Sequence, residues 1–280
     1  VTSILEDKRG LIWVSTWGEG VLLIHPGDYQ VERFQGKIPY NDPITFNEQY
    51  VHTVYQASNG TIWISMLRGV AAFSPSTNQL HTYTKRDGLA ENSTTDIQED
   101  SKGRIWIGSA TSGLSIYESG KFNVVKETNP TIYPSISSIS RDEQSNIWIA
   151  TEGGGIYKFD GKKYTNYTTQ DGLLSNYVGL IESDLKGKIW LGTNKGICSW
   201  DPNTHYTIIH DKTDKNSRVE TKPNAVHRDK ENHLWFGTIN GVIEFDPGLI
   251  TTNFVESVTL ITAVKSFQDT LRKEGVALNY

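Results

Sequence analysis

One stretch of the sequence decides the fold: residues 181–193, which read Ile-Glu-Ser-Asp-Leu-Lys-Gly-Lys-Ile-Trp-Leu-Gly-Thr. An apolar pair leads to an aspartate, a glycine-bearing turn and an apolar run around a tryptophan. The chain holds six copies of this pattern, whose tryptophans are Trp13, Trp63, Trp106, Trp148, Trp190 and Trp235. These tryptophans lie 50, 43, 42, 42 and 45 residues apart. A repeat of this length, filled with short strands, predicts the blades of a β-propeller.

Each copy predicts one blade of four strands. In the third copy we expect strands over residues 95–99, 104–108, 114–117 and 121–125, separated by short turns that contain glycine. Such spacing is typical of successive hairpins. The second strand is apolar on both sides, as in Ile62-Trp63-Ile64. We expect this because blades pack face to face, so that each side of the second strand is buried against a neighbouring blade. The sequence therefore predicts an all-β fold, a β-propeller of four-stranded blades with six visible repeats.

The turn between the first two strands of each blade has a recurring composition. We assign its last position to Gly in four copies and to Asn146 and Asn232 in the other two, since Gly and Asn tolerate a positive φ. An aspartate precedes the turn in five copies, and Ala57 replaces it in the second. We expect these aspartates to cap turn amides. Each turn holds too few carboxylates for calcium, which takes about six to eight oxygens, so neither a metal nor another cofactor is predicted.

Composition excludes some classes of function. The net charge is −5, and an acidic chain lacks the positive surface that supplies most nucleic-acid affinity. Cys198 is the only cysteine, so no intrachain disulfide is predicted, and we expect a buried, inert thiol. No apolar run reaches the roughly 18 residues of a membrane span, so membrane insertion is not expected. The sequence begins at Val1 without a signal peptide, which we interpret as a processed or excised piece.

The repeat resembles the two-component regulator propeller family. The segments 189–197 and 234–242 match its Ile-Trp-Ile-Gly-Thr-like strand and the Gly that follows, and the linkers 87–92 and 171–176 resemble its lead into the next inner strand. The resemblance covers residues 1–247. It implies the periplasmic sensor region of a bacterial hybrid histidine kinase that detects polysaccharide fragments. It also implies that the six repeats are part of a seven-bladed propeller, with a closed ring of six blades as the alternative.

The C-terminal segment carries a second resemblance. Residues 255–267 form a strand-like run similar to the opening of the immunoglobulin-like three-tyrosine domain that follows such propellers. We therefore divide the chain into propeller repeats, 1–247, and a linker with the start of that domain, 248–280. The resemblance implies two macromolecular partners, which are the rest of the receptor and a second receptor copy in a homodimer.

Propeller topology predicts where a ligand binds. If the first strand of each blade is innermost, the turns between strands two and three share one face with the connections between blades. On that face the sequence departs most from the repeat, and loops on a rigid scaffold are where binding residues gather. The candidate ligand-binding residues are Trp17, Tyr50, Arg68, Tyr133, Glu152, Tyr177, Asn194 and Asn240. Exposed Trp and Tyr rings can stack on sugars, while their polar neighbours bind hydroxyls.

Other interpretations of the same residues stay open. Trp17 can instead fold over its own blade, and the three tyrosines can pack near the pore mouth. A propeller lyase or hydrolase is the enzymatic alternative, but the seven histidines fall at non-equivalent blade positions and form no metal-ligand motif, so no catalytic residue is predicted. A third alternative is a propeller that binds proteins and no small ligand.

Overall fold

The computed structural model describes residues 1–35, 49–126, 130–210 and 220–249, together with two short strands near the C-terminus. The first three blades contain β1 (Ser3–Glu6), β2 (Ile12–Ser15), β3 (Val21–Ile24), β4 (Val31–Arg33), β5 (Val51–Gln56), β6 (Ile62–Met66), β7 (Gly69–Ser74), β8 (Gln79–Tyr83), β9 (Thr94–Glu99), β10 (Ile105–Ser109), β11 (Leu114–Glu118) and β12 (Lys121–Val124). The next three contain β13 (Ile136–Arg141), β14 (Ile147–Thr151), β15 (Ile156–Phe159), β16 (Tyr164–Tyr167), β17 (Val178–Ser183), β18 (Ile189–Thr193), β19 (Gly196–Trp200), β20 (Thr207–Ile209), β21 (Thr221–Arg228), β22 (Leu234–Thr238) and β23 (Gly241–Phe245).

These strands form six antiparallel sheets in chain order, so the prediction of an all-β propeller with one blade for each of the six repeats is confirmed. Five sheets have four strands, and the sixth has three within the described residues. The first strands of successive blades contact one another, which makes them the inner strands. In blade 3 each observed strand differs from its predicted range by one residue at one or both ends.

The chain divides into two compact units, Val1–Pro247 and Gly248–Tyr280. In the second unit the structure describes one antiparallel pair, β24 (Val264–Lys265) with β25 (Thr270–Leu271). Most of the predicted strand over 255–267, and with it the immunoglobulin-like assignment, lies outside the described residues. Among the described residues, no helix has the length and apolar character to cross a membrane.

The blade tryptophans form the core between blades. Trp63 of blade 2 packs edge-on against Tyr117 of blade 3, with ring centroids 5.0 Å apart. The same contact between a tryptophan and the third-strand aromatic of the next blade recurs four more times, as Trp13–Phe73, Trp106–Phe159, Trp148–Trp200 and Trp190–Phe245. Trp200 is buried, and so is Cys198, as the sequence predicts. Trp235 differs from the other five blade tryptophans, because it is 36% exposed among the described residues.

The aspartate before each turn caps the turn and also holds the tryptophan. In blade 5, Asp184 accepts hydrogen bonds from the amides of Lys186 and Lys188 and from the indole Nε1 of Trp190. The indole bond is present in five blades, at 2.7 to 3.1 Å. The capping prediction is confirmed. The sequence did not predict the hydrogen bond from the tryptophan indole to this aspartate.

Blade 2 has Ala57 in place of the aspartate, and its turn is bound by a carboxylate of blade 3. Glu99, at the end of the inner strand of blade 3, accepts hydrogen bonds from the amide and the hydroxyl of Ser58, at 2.7 and 2.6 Å. Glu99 is only 6% exposed, so a buried carboxylate from the next blade fixes this turn.

The turn prediction needs one correction. The position that requires a positive φ falls on Ser145 (φ 66°) in blade 4 and not on Asn146. Asn146 lies one residue later, and its side-chain amide donates to Asp142 at 2.7 Å. The assignment of Asn232 (φ 71°) to this position in blade 6 is confirmed.

Candidate functional site

The turns between strands two and three meet the connections between blades, as propeller topology requires. The amide of Gly18 donates to the Gln49 carbonyl at 2.7 Å, and the amide of Gly153 donates to the Asn176 carbonyl at 3.1 Å. Each bond joins the turn of one blade to the segment that enters the next. We call this side of the propeller the upper face. The turns between strands one and two and between strands three and four lie on the lower face.

The upper face collects exposed apolar side chains from the turns of three blades and from three connections between blades. They are Trp17 (53% exposed), Tyr50 (38%), Leu67 (38%), Tyr133 (42%), Tyr177 (44%) and Ile239 (50%). Water-exposed aromatic rings clustered on one side of a rigid scaffold are a feature of binding surfaces. The structure therefore places all four aromatic candidates on the predicted face and leaves them accessible.

Trp17 belongs to a cluster between blades 1 and 2. Its backbone bridges that of Tyr50, and the two ring centroids are 5.0 Å apart. The imidazole of His52 meets the Trp17 ring edge-on at 4.8 Å. Burial lowers the pKa of His52, and its Nε2 atom is inaccessible to water without a hydrogen-bond partner among the described residues. Trp17 thus rests on a neutral ring and keeps about half of its surface free.

A second cluster lies between blades 4 and 5. Glu152 bridges Tyr177 through the backbone, and its carboxylate accepts a hydrogen bond from Ser135 Oγ at 3.2 Å. Burial and the neighbouring Glu152 carboxylate both raise the pKa of Tyr177. Tyr133 covers the turn at Gly154, where an added Cβ would lie 2.4 Å from that of Tyr133. The small residue in the turn therefore lets the aromatic ring lie flat on the backbone.

The three remaining candidates are exposed on the same face. Asn194 joins the second cluster, because its amide donates to the Tyr177 carbonyl at 3.4 Å and its Oδ1 accepts a hydrogen bond from Ser175 Oγ at 2.8 Å. The amide of Asn240 donates to Thr238 Oγ1 at 3.2 Å. Arg68 has no hydrogen bond or ion pair among the described residues. The eight candidates thus form two separate clusters and two single positions, Arg68 and Asn240.

Sequence reasoning missed three residues of this face. Leu67 and Ile239 occupy the turn position equivalent to Trp17, one residue before Arg68 and Asn240. An alignment of the six turns that starts at the end of each second strand would have identified Leu67 and Ile239 from the sequence. His52 carries no local signal, because its contact with Trp17 depends on the packing of blade 2 against blade 1.

The inner strands are joined by buried polar groups. Asp96 of blade 3 accepts a hydrogen bond from the amide of Ile139 in blade 4 at 2.7 Å, and Glu182 of blade 5 accepts one from Ser140 Oγ at 2.8 Å. Burial raises the pKa of Asp96 to about 6 and also raises that of Glu182. Asn224 in blade 6 reaches Thr95 in blade 3, with Nδ2 2.9 Å from the carbonyl oxygen. These hydrogen bonds connect inner strands of different blades, which surround the propeller axis.

The lower face contains the one group of metal-type side chains found among the described residues. Polar atoms of Asp229, Glu231 and His233 lie within 4.8 Å of one another. Asp229 already accepts bonds from Trp235 Nε1 and two turn amides, and His233 Nδ1 lies 3.1 Å from a carboxylate oxygen of Glu244. These contacts account for the arrangement as a hydrogen-bonded turn. A cavity of about 1090 Å³ opens nearby, between the first strand of blade 1 and that of blade 6.

Two segments of the chain, residues 1–18 and 88–111, match the family model described as two component regulator propeller. No curated protein matches the sequence. One similar solved structure is the extracellular domain of a B. thetaiotaomicron protein named as a hybrid two component system, BT3049, at 21% identity and a TM-score of 0.60. Another is that of BT4673 from the same organism, named as a one component system, at 16% identity and a TM-score of 0.65.

The chain covers only part of those two proteins. The alignments include 88% and 98% of this chain but 39% and 35% of the extracellular domains. Virginiamycin B lyase from Staphylococcus aureus is also similar, at 14% identity and a TM-score of 0.65, and here 87% of this chain matches 83% of the enzyme. At these identities the likeness establishes the propeller fold, which sensors and enzymes share.

Proposed function

We propose that this chain belongs to the extracytoplasmic sensor region of a bacterial two-component receptor and that its upper face binds a polysaccharide-derived ligand. The observation that carries the ligand proposal is the set of exposed aromatic rings, Trp17, Tyr50, Tyr133 and Tyr177, on one face of a rigid scaffold. An aromatic ring stacks on the C–H face of a sugar, while tyrosine hydroxyls and the Glu152 carboxylate bond to its hydroxyl groups.

The receptor assignment is supported by the two segments that match the two-component regulator propeller and by the similar extracellular domains. A periplasmic location goes with that assignment. Signal transmission then requires parts outside the propeller: an immunoglobulin-like domain that begins after residue 247, the rest of the receptor, and a second receptor copy. A ligand on the upper face acts by favouring one arrangement of these parts over another.

Catalysis is not part of this proposal. The described histidines that contact a carboxylate are His25, beside Glu32, and His233, beside Asp229 and Glu244. The turns that carry these pairs lie on the lower face, away from the aromatic rings. His52, which does lie beneath the upper face, has a buried Nε2 atom and contacts the Trp17 ring. A lyase or hydrolase activity would require a base that can reach a ligand on the upper face.

A protein partner is the second candidate for the upper face. Leu67 and Ile239 are 38% and 50% exposed, and aliphatic side chains suit a protein contact better than a sugar contact. The two candidates predict different ligands for the same face, so binding measurements separate them.

We also propose that the propeller has seven blades. Trp235 of blade 6 is 36% exposed whereas its equivalent in blade 5, Trp190, is 1% exposed. On the other side of the array, Ile4 of blade 1 is 66% exposed whereas its equivalent, Ile181, is 1% exposed. One further blade between blades 6 and 1 would cover both faces.

The proposed function is tested by glycan-array screening of the full chain, followed by calorimetry on each oligosaccharide that binds. We expect Trp17→Ala to weaken binding about tenfold, the effect of losing one stacked ring. Tyr206→Ala is the matched control, because Tyr206 is also 53% exposed but lies in a lower-face turn between β19 and β20. Unchanged affinity in Trp17→Ala would remove this residue from the site, and binding of a protein but no glycan would favour the second candidate.

A further inference from the structure

The two aromatic clusters of the upper face occupy equivalent positions of the repeat. In each, a residue of the turn between strands two and three bridges a tyrosine of the following connection, as Trp17–Tyr50 and Glu152–Tyr177. In each, the next blade's turn bonds back to that tyrosine, from the Leu67 amide to the Tyr50 carbonyl at 3.1 Å and from the Asn194 amide to the Tyr177 carbonyl at 3.4 Å. The residues that follow are Arg68 and Lys195.

The clusters differ in charge because one position differs. Between blades 4 and 5, the turn of blade 4 supplies Glu152 at the bridging position, next to the turn that carries Lys195. Between blades 1 and 2, Trp17 takes that bridging position next to the turn that carries Arg68, and the carboxylate of the Trp17 turn is Glu19, two residues later. Arg68 is exposed, and the described residues give it no ion pair or hydrogen bond. Its backbone follows that of Leu67, whose amide bonds to Tyr50, the residue that Trp17 bridges, so an exposed guanidinium without an ion pair among the described residues is available to an anionic ligand on this part of the upper face.

Arginine suits such a ligand better than lysine does. Its planar fork of N–H donors matches carboxylate and sulfate oxygens in pairs, and its weak hydration lowers the cost of contact. We infer that Trp17, Tyr50 and Arg68 bind an acidic sugar unit, with its ring stacked on Trp17 and its carboxylate or sulfate paired with Arg68. This inference rests on the proposed carbohydrate recognition. The cluster at Glu152 and Tyr177 then takes a neutral unit, since its carboxylate repels an anion.

The experiment uses oligosaccharide pairs that differ only in charge. One pair is tetragalacturonate and its methyl ester, and the other is a sulfated carrageenan tetrasaccharide and its desulfated form. Calorimetry on the full chain should show at least one acidic member binding about tenfold more tightly than its neutral counterpart. The pair that shows the difference identifies carboxylate or sulfate. The difference should shrink as the salt concentration rises, because the ion pair is exposed.

Matched variants assign the preference to Arg68. Arg68→Gln should abolish the preference for the acidic member while the neutral member still binds. Lys195→Gln should retain the preference, because this lysine holds the equivalent turn position between blades 4 and 5, where Glu152 takes the place of Trp17. Glu19→Gln should strengthen binding of the acidic member, since Glu19 is the carboxylate of the Trp17 turn.

Three outcomes contradict the inference or its basis. Equal binding of both members of each pair would overturn the acidic preference while leaving carbohydrate recognition in place. A preference that survives Arg68→Gln would overturn the role of that residue. Binding of none of the four saccharides would count against carbohydrate recognition as well.

Discussion

At the scale of single residues, one aspartate in each of five blades bonds both to a turn and to a tryptophan. Asp184 is 1% exposed and accepts two turn amides and the indole of Trp190. Hydrogen bonds to a charged acceptor contribute more than neutral ones, and their loss leaves buried donors without partners. Ala57 in blade 2 is tolerated because Glu99 of the next blade binds the turn there.

We therefore expect Asp184→Ala to destabilise the protein by about 3 kcal/mol, the order expected when a buried, charged acceptor is removed. Urea denaturation followed by circular dichroism measures this loss. Asp160→Ala is the control: Asp160 also accepts two turn amides, from Lys162 and Lys163, but it is exposed and binds no tryptophan. A loss in Asp184→Ala no larger than in the control would show that the indole bond contributes little.

At the scale of elements, the linkers into blades 3 and 5 have a common construction. In the second linker, Thr168 and Asp171 form a capping box around a short 3₁₀ turn, and Gly172 ends it in the left-handed region at φ 86°. Leu173 then enters the core at 4% exposure. The first linker repeats this construction with Thr84, Asp87, Gly88 and Leu89. In each linker the aspartate therefore caps the 3₁₀ turn, the glycine ends the turn with a positive φ, and the leucine packs into the core.

Gly172 is needed for two reasons, and substitutions can separate them. Besides its positive φ, an added Cβ would lie 2.2 Å from the backbone oxygen of His205. Gly161 has a similar φ of 92° but no atom within 4 Å of an added Cβ. We expect Gly161→Ala to cost about 1 kcal/mol from backbone strain alone, and Gly172→Ala to cost clearly more, measured by thermal unfolding. Equal losses would mean that β19 and β20 shift away without cost.

The strands of this fold were predictable because each depends on local signals. Alternating turns and apolar runs place the strands of blade 3 within one residue of their observed ends. The positive φ at Ser145 was not predictable from residue preference, since Asn146 next to it is the better candidate by type. Propeller topology was enough to predict that the aromatic residues lie on one face. It could not predict the contacts of Trp17, because these depend on how blade 1 packs against blade 2.

At the scale of the whole molecule, hydrogen bonds between inner strands hold the blades together, while Ile4 in the first blade and Trp235 in the last are exposed. Asp96, Glu182 and Asn224 connect inner strands of different blades. The number of repeats could be predicted from the sequence. The burial of each blade face could not, because it depends on whether another blade packs against that face. Trp190 and Trp235 occupy equivalent positions with opposite surroundings. This contrast allows the proposed seventh blade to be tested by stability alone.

We expect Trp190→Ala to destabilise the protein by about 4 kcal/mol, since it removes a fully buried aromatic side chain and leaves a cavity. Trp235→Ala should cost much less, because its ring is 36% exposed and already contacts water. Urea denaturation of both variants measures the difference. In a longer chain with one further repeat, the new blade would cover Trp235, and the cost of Trp235→Ala should rise towards that of Trp190→Ala. An unchanged difference in that longer chain would contradict a seventh blade on this face.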